Sequence, residues 1–390
     1  MISIKLFIVL CAILISGSLY YATYLKNTFL IFFLILISFF YILQLIRTSP
    51  KSFSFCKKKI LYLIIIPSVV FINQNFVFTS SGVLFLCLLC SFLITEIISF
   101  ENFSEIFLRI ILFLCISSWL AIPVIYFNLI SPFADFVSIT SQKYSNFIFF
   151  GILNNDSFMQ GELDFYYNRI SGLFWEPGAF QIFINIAYFL SLIKNNFKFN
   201  MLHFLVFFIT LLLSQSTAGL LVFFLLSLLG SFYKNRIFVL LVFVSLFFID
   251  FSPFFGKFYE SSNSYVSFSS RLLDNKIDFY RFLGNPLTGV GYGNYWDRLD
   301  YIENANNSGA TGSDGIILLL SYLGLPALFI IYPLLFPVYM RKQGLIHRLL
   351  FSLAFFIMFN NENFFPYLLP WILIFYGISS GPNYLKGGKK

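Results

Sequence analysis

The feature that most constrains this chain is a succession of apolar runs, each near the length that crosses a lipid bilayer. A membrane-spanning helix needs about 20 mostly apolar residues. Only 11% of the residues are charged, and the mean hydropathy is +0.84. The sequence therefore predicts an all-α, polytopic integral membrane protein of about twelve transmembrane helices, forming one membrane domain over residues 1–390. The predicted spans are 3–22, 28–46, 60–78, 82–100, 107–130, 174–193, 200–214, 217–233, 237–252, 314–338, 346–361 and 364–381.

Two parts of this prediction have an alternative interpretation. The runs 200–214 and 217–233 are either two spans or one span kinked at Ser214–Thr217. The first 20 residues resemble a signal peptide, with Lys5 ahead of an apolar run. They lack a convincing small-residue cleavage site, and further spans follow, so a retained first helix is expected.

The positions of Lys and Arg predict the orientation, because these residues concentrate on the cytoplasmic side of membrane proteins. With the N-terminus inside, most of the 25 Lys and Arg fall in inner connections, among them Lys59, Arg109 and Lys194. Both termini are then cytoplasmic. The net charge of +8 is explained mainly by this topology, so no nucleic-acid partner is expected.

The predicted outer side has two large loops, residues 131–173 and 253–313, which contain most of the remaining polar side chains. His203 and His347 both fall on the inner side. Chemistry at the outer face would therefore depend on carboxylates, arginines, tyrosines and backbone groups. The simpler interpretation of these loops is an interfacial belt of aromatic residues with solvated charges.

The first loop ends in a charged segment at the start of an apolar run, with Arg169, Trp175 and Glu176 in sequence. Pro177 follows Glu176, a pattern typical of a helix start with an acid at the positive end of the helix dipole. Glu176 is therefore either a structural residue or a general base or sugar anchor beside Arg169 and Trp175.

The second loop contains Arg271 and Arg281, with Asp274 and Asp278 between them. If this stretch is a surface helix, the spacing allows i,i+3 ion pairs, which is the simpler explanation for Arg281. For Arg271 we favour bidentate binding of a phosphate.

Residues 289–293, Gly-Val-Gly-Tyr-Gly, lack the strand and helix of a dinucleotide site. A plain loop is favoured there over a turn that directs N–H groups toward an anion.

Four motifs in order resemble those of the Wzy-type O-antigen polymerases, within the O-antigen ligase and polymerase superfamily. The resemblance covers roughly residues 165–330. Its motifs are Arg169-x2-Gly172-x-Phe174-x-Glu176-Pro177-Gly178; Leu213-Ser214-x-Ser216-Thr217-Ala218; Arg271 ahead of Asn285-Pro286-Leu287-Thr288-Gly289-Val290-Gly291; and Ser313-Asp314 opening a helix that runs to Gly324-Leu325-Pro326-Ala327.

The resemblance implies a GT-C-like, metal-independent glycosyltransferase in the bacterial inner membrane, with its active site facing the periplasm. Donor and acceptor would be glycans linked to undecaprenyl pyrophosphate, and the enzyme would join their repeat units without a cofactor. Its partners would be these lipid-linked glycans and the bilayer, with a chain-length regulator protein as a further candidate.

The same resemblance suggests roles for individual residues. Arg271 and Arg169 would stabilise the pyrophosphate leaving group, and Glu176 or Asp314 would act as the base. This chain departs from the Arg-x10-Gly spacing of polymerases, since Gly178 lies nine residues after Arg169 and Gly284 lies thirteen after Arg271. The remaining candidates are substrate-binding residues: Trp175, Arg281, Tyr292, Asp297, Arg298 and Ser313.

Three other functions remain open. O-antigen ligases have a His-Asn motif at the position that corresponds to Ser313 of this chain. Serine in place of that histidine favours a polymerase over a ligase.

A lipid-linked oligosaccharide flippase or another transporter would usually have short outer loops and polar residues at mid-membrane. Gln181 and Asn185 could line such a path, although hydrogen bonding between helices explains them equally well. A polyprenyl-phosphate glycosyltransferase would usually show acidic pairs in its first outer loop, and residues 23–27 contain none.

Overall fold

The computed structural model describes residues 2–18, 26–47, 57–72, 77–126, 134–137, 143–146, 151–154, 168–174, 176–231, 263–292 and 315–379. These parts of the chain are mostly helical. The helices are α1 Ile2–Ile15, α2 Lys26–Arg47, α3 Lys57–Ile72, α4 Phe78–Ile97, α5 Phe100–Tyr126, α6 Pro177–Lys194, α7 Met201–Ser214, α8 Thr217–Ser231, α9 Asn263–Gly284, α10 Ile316–Leu323, α11 Leu328–Leu335, α12 Leu345–Asn360 and α13 Leu368–Ser379. Short 3-10 turns lie at Leu325–Ala327 and Val338–Met340.

Most of the predicted spans correspond to one helix each, because long apolar runs leave little choice of structure. Four helical stretches are long and apolar enough to cross a membrane: Thr28–Ile46, Phe78–Ile97, Phe100–Leu120 and Pro177–Lys194. The other apolar helices in the described parts are shorter. The full set of twelve spans therefore stays a prediction. The predicted span 237–252 lies outside the described residues.

The chain divides into two compact units. The first comprises Met1–Ser16, Tyr24–Phe103 and Lys257–Lys390, and the second comprises Gly17–Thr23 and Ser104–Gly256.

The centre of the first unit is α13, in which every residue from Leu368 to Ile378 is buried. It packs along α4, with the rings of Phe92 and Phe375 6.1 Å apart. The Tyr376 hydroxyl donates to the carbonyl of Ile98 over 2.8 Å. A helix buried on all sides belongs in the interior of a bundle, so α13 is the core element of this unit.

The second unit is organised around α6, which is buried along almost its whole length. The helices α7 and α8 both pack against it, and Phe208 of α7 stacks on Phe223 of α8. They are separated by Gln215 and Ser216, and the backbone of Gln215 is left-handed at φ 50° and ψ 37°. Contacts on either side of Gln215 bring the two helices back along each other. The structure therefore resolves the 200–233 alternative in favour of two helices joined as a hairpin.

The first outer loop contains a small antiparallel sheet that the sequence analysis did not predict. Its strands are β1 Ala134–Val137, β2 Lys143–Asn146, β3 Gly151–Asn154 and β4 Asn168–Gly172, paired in the order β1-β2-β3-β4. Each strand has only four or five residues. Strands this short show little periodicity in the sequence, which is why they were not predicted. The expectation of an all-α chain is therefore wrong for this segment.

The second outer loop contains α9, a 22-residue helix. It begins at Asn263, so the residues between Asn263 and Arg271 are helical as well. The predicted span 314–338 differs as well, because it is interrupted at Gly324. That residue has φ 64° and ψ −150°, a conformation that ends α10 after eight residues.

The segment that follows α9 is bound to this interruption through its backbone. The N–H groups of Val290 and Gly291 donate to the carbonyls of Ser321 and Tyr322 over 3.0 and 3.1 Å. The Leu325 N–H donates to the Pro286 carbonyl over 2.7 Å. The segment 285–291 therefore saturates backbone groups that the break in the helix would leave without partners.

Two contacts inside the first unit agree with the predicted alternation of sides. In the first unit, Lys59 pairs with Glu96 over 2.7 Å, and both belong to the predicted inner side. The Val77 N–H donates to the Tyr292 carbonyl over 3.0 Å, and both belong to the predicted outer side. Which side faces the cytoplasm stays a prediction.

Replacing Gly289 with alanine should destabilise the first unit. Gly289 has φ +71°, and a Cβ there would lie 2.3 Å from the backbone oxygen of Tyr322, which cannot move aside. We expect a loss of about 2–4 kcal/mol in unfolding free energy, measured by denaturation of the purified protein in detergent. Gly284→Ala is the matched control, because nothing lies within 4 Å of the position that its methyl group would occupy. Equal stability of the two variants would contradict the docking of residues 285–291.

Candidate functional sites

The structure brings the four sequence motifs together in two pairs, one pair in each unit. In the second unit, β4 and the start of α6 meet the connection between α7 and α8. In the first unit, α9 and residues 285–291 meet α10 and the turn at Gly324. Each pair forms a candidate site of its own.

Arg169 is the centre of the site in the second unit. Its Nε donates to the Ser214 carbonyl over 3.1 Å, and its Nη2 donates to the Gln215 carbonyl over 3.4 Å. The carbonyls at the end of α7 carry the negative end of the helix dipole, so a guanidinium group is stabilised there. Arg169 therefore has a structural role in holding β4 against the α7–α8 connection.

Glu176 begins α6, as the Glu-Pro-Gly pattern predicts. It is the N-cap residue, Pro177 is the first helical residue, and the Glu176 side chain makes no capping hydrogen bond. The residue as a whole is partly exposed. Glu176 therefore lies at the positive end of the α6 dipole, as its structural explanation expects, and its role as a base or sugar anchor stays a prediction. Trp175, its predicted neighbour, lies outside the described residues.

Two buried amides further along α6 make hydrogen bonds within and between helices. Asn185 Nδ2 lies 3.1 Å from the Gln181 Oε1 atom and 3.1 Å from the carbonyl of Gly219 in α8. Asn185 thus makes the interhelical hydrogen bond that was the alternative to a transport path. Gly219 permits this close approach, since a Cβ there would lie 2.8 Å from the Gln181 Cβ.

Arg271 is the centre of the site in the first unit. Its Nη1 donates to the Asn361 carbonyl over 2.8 Å, and its Nη2 donates to Glu362 Oε1 over 3.0 Å. The side chain of Arg271 is 29% exposed, whereas that of Glu362 is 7% exposed. The carboxylate is thus buried beneath a guanidinium group that remains partly accessible. Such an ion pair fixes the orientation of the guanidinium group.

A set of asparagines extends this pair. Asn360 donates to Asn275 Oδ1 over 2.9 Å, and the Asn360 Oδ1 accepts from the Ile317 N–H over 3.2 Å. Asn275 in turn donates to the Arg271 carbonyl over 2.9 Å. The Asn360 side chain, at the end of α12, therefore connects α9 to the start of α10.

Sequence reasoning missed Glu362 and its asparagine neighbours. The available signal was the run Asn360-Asn361-Glu362-Asn363 between two apolar spans, in a chain with only 17 Asp and Glu. Glu362 should have been weighed as a partner for an outer-side arginine.

Arg281 makes the predicted i,i+3 pair, but the pair lies in the interior and not on the surface. Its Nη1 donates to Asp278 Oδ1 over 3.0 Å, and both side chains are 0% exposed. The guanidinium carbon lies 5.8 Å from the centre of the Tyr322 ring, within reach of a cation–π contact. Asp274, one turn earlier, is also fully buried. The sequence analysis expected this ion pair on the surface of a helix. That expectation is wrong, because the pair is buried.

Tyr292 lies beside a small cavity of about 190 Å³. Its ring meets the Tyr322 ring edge-on at 5.6 Å. The cavity is mostly apolar, and its polar lining includes Ser80 and Asn363. The N–H groups of Val290 and Gly291 are engaged with α10, so they do not form the anion-binding turn that the glycine pattern left open.

Several predicted site residues lie outside the described residues: Trp175, Asp297, Arg298, Ser313 and Asp314. Within the described parts of the chain, no group of three or more His, Cys, Asp and Glu side chains could hold a metal ion. The two sites thus contain arginines, carboxylates, amides and tyrosines.

Comparison of the chain with known protein families, with curated proteins and with solved structures gives no match in any of the three. The class of protein therefore rests on the fold alone. The fold is mostly helical, with four helices long and apolar enough to cross a membrane and several shorter apolar ones.

The buried pair in α9 should matter far more for stability than an exposed pair. Asp278→Ala leaves the Arg281 guanidinium group in the interior without this partner, and we expect a cost of about 3–5 kcal/mol in unfolding free energy. Glu105→Ala is the control, because it removes an exposed pair with Arg109 and should cost less than about 1 kcal/mol. Replacing both Asp278 and Arg281 with leucine and methionine should cost less than Asp278→Ala alone. Comparable losses for Asp278→Ala and Glu105→Ala would contradict the burial of the α9 pair.

Proposed function

We propose that this protein is a membrane-embedded glycosyltransferase that polymerises lipid-linked oligosaccharide repeat units. Donor and acceptor are glycans carried on undecaprenyl pyrophosphate, and the reaction takes place at the periplasmic face of the bacterial inner membrane. The observation that most supports this proposal is the partly exposed Arg271 guanidinium group, fixed by the buried Glu362 carboxylate over 3.0 Å.

The reaction is a displacement at the anomeric carbon of the donor glycan. The acceptor hydroxyl oxygen forms a bond to that carbon, and the bond from the carbon to the pyrophosphate oxygen breaks. The leaving group departs with the electron pair as undecaprenyl pyrophosphate, and the hydroxyl proton passes to a carboxylate. Charge therefore develops on the leaving pyrophosphate, where a fixed cation stabilises the transition state.

Arg271 suits this role because its guanidinium group can bind phosphate oxygens in a bidentate manner. Glu362 is then a positioning residue, which acts through Arg271 and does not itself contact the substrate. For the base, Glu176 and Asp314 remain the candidates. Glu176 is partly exposed at the start of α6, which is compatible with proton transfer.

Deletion of the gene in the native bacterium, followed by gel analysis of its lipopolysaccharide, tests the proposal. Core carrying a single repeat unit, without the long ladder, supports a polymerase. Core without any repeat indicates a ligase or a flippase, and accumulation of long lipid-linked chains then singles out a ligase. If both the lipopolysaccharide ladder and any capsular polysaccharide are unchanged, the proposal fails.

Complementation of that deletion with Arg271 variants tests the site. Arg271→Ala should lower polymerisation by about 100-fold or more, while the protein still inserts. Arg271→Lys should restore little activity, because an ammonium group cannot reproduce the planar fork. Arg109→Ala is the matched control, since it removes an exposed arginine on the predicted inner side. A normal ladder from stably expressed Arg271→Ala would remove Arg271 from the site.

Glu362 variants separate positioning from folding. Glu362→Gln keeps an oxygen that can accept a hydrogen bond from Arg271, so it should retain more activity than Glu362→Ala at equal protein level. With purified lipid-linked substrate, we expect Glu362→Ala to lower kcat more than it raises KM, because the cation is misplaced in the transition state. Equal activity of both variants with wild type would show that Glu362 does not position Arg271.

A further inference from the structure

The two faces of α9 are arranged in a way that an aqueous loop would not favour. The face directed into the protein carries Asp274, Asp278 and Arg281, all buried. The opposite face carries large apolar and aromatic side chains at the helical spacings i, i+7, i+8 and i+11. These are Leu272 at 55%, Phe279 at 48%, Tyr280 at 52% and Leu283 at 53% exposure.

We infer that α9 is embedded in the outer leaflet of the membrane, with the face formed by Leu272, Phe279, Tyr280 and Leu283 against lipid acyl chains. In water, this helix would expose four large apolar side chains and bury three charges, which reverses the usual amphipathic pattern. In lipid the same arrangement is favourable, because charges inside a membrane protein face its interior and pair there. We call this surface of α9 the lipid face.

The lipid face is continuous with an apolar surface further along the chain. The hydrogen bond from the Leu325 N–H to the Pro286 carbonyl, 2.7 Å long, places Leu287 next to Leu325. Leu287 is 71% exposed and Leu325 is 45% exposed. From there the exposed apolar side chains continue along α11 at Leu328, Phe329 and Tyr332. Because α11 belongs to a predicted membrane span, the continuity identifies lipid as what covers the face of α9.

The position in the bilayer of the residues that bind α9 supports the same conclusion. Arg271 and Asn275 are bonded to the turn between α12 and α13. That turn lies alongside the first half of α4: Asn363 shares the cavity with Ser80, and Cys87 Sγ lies 3.7 Å from the Pro366 carbonyl. Since α4 is long and apolar enough to cross a membrane, its first half lies at the depth of one leaflet.

Lys276 is the single charged residue on the lipid face from Arg271 to Gly284. It is exposed and lies one turn from both Leu272 and Tyr280. A lysine at this position can extend its methylene chain along lipid and place its ammonium group among headgroup phosphates. The saturated backbone of residues 285–291 meets the other requirement of a segment at this depth, because unpaired N–H groups are costly there.

The test measures the surroundings of spin labels on full-length protein in phospholipid nanodiscs. Labels are attached at Leu272→Cys, Phe279→Cys and Leu283→Cys in a Cys56→Ser background, since the other four cysteines are buried. Collision rates with oxygen report lipid, and those with a water-soluble nickel chelate report water. Phe113→Cys, on an exposed apolar position of α5, is the lipid reference, and Lys342→Cys is the water reference.

We expect the oxygen-to-nickel collision ratio at all three positions to match that of Phe113→Cys and to exceed that of Lys342→Cys. A ratio like that of Lys342→Cys would mean that the face is in water, which overturns the inference. Poor access for both reagents would mean that protein covers it, which also overturns the inference.

A second measurement avoids any effect of the label on folding. In a Tyr280→Trp variant, lipids brominated near the headgroup or along the acyl chain should quench fluorescence beyond the loss seen for the wild type. Absence of that added quenching would contradict the placement of α9. Neither experiment involves glycosyl transfer, so their outcome is independent of the proposed function.

Discussion

The position of α9 depends on the buried charges along one of its faces. A charge in the interior is tolerated only when it is paired and hydrogen-bonded. The pair between Asp278 and Arg281, 3.0 Å long, and the contact of Arg281 with Tyr322 fulfil that condition only when α9 lies along α10. The same placement puts Arg271 on Glu362 and residues 285–291 on the break at Gly324. One helix thus fixes the candidate site, the cavity wall and the broken span together.

The apolar runs of the sequence were enough to place most helices, because a long apolar segment in a membrane has few alternatives to a helix. The same reasoning failed for α9, where mean hydropathy is low and charges of both signs made the stretch resemble a solvated loop. Its two faces differ strongly, but a hydropathy average removes that difference. The break at Gly324 was also hidden, since the residues on both sides of it are apolar and read as one continuous span.

The candidate sites were predictable in part, and the reason differs between residues. Glu176 was identified from local pattern, because Pro177 marks the start of a helix in the sequence itself. Glu362 is 91 residues from Arg271, and no local pattern could relate the two. Its identification required the packing of the α12–α13 turn against α9. Local signals in a sequence therefore locate helix ends and single charges, whereas the partners of those charges depend on long-range packing.

The arginine proposed to bind the substrate and the lipid face both belong to α9. Arg271 and Leu272 are adjacent in sequence and about 100° apart around the helix, yet Arg271 reaches the buried Glu362 and Leu272 is exposed on the lipid face. A substrate anchored by a lipid chain carries its charged pyrophosphate and its apolar tail on the same molecule. It therefore needs a cation and an apolar environment within a short distance, and α9 presents both on neighbouring sides of a helix about 10 Å in diameter.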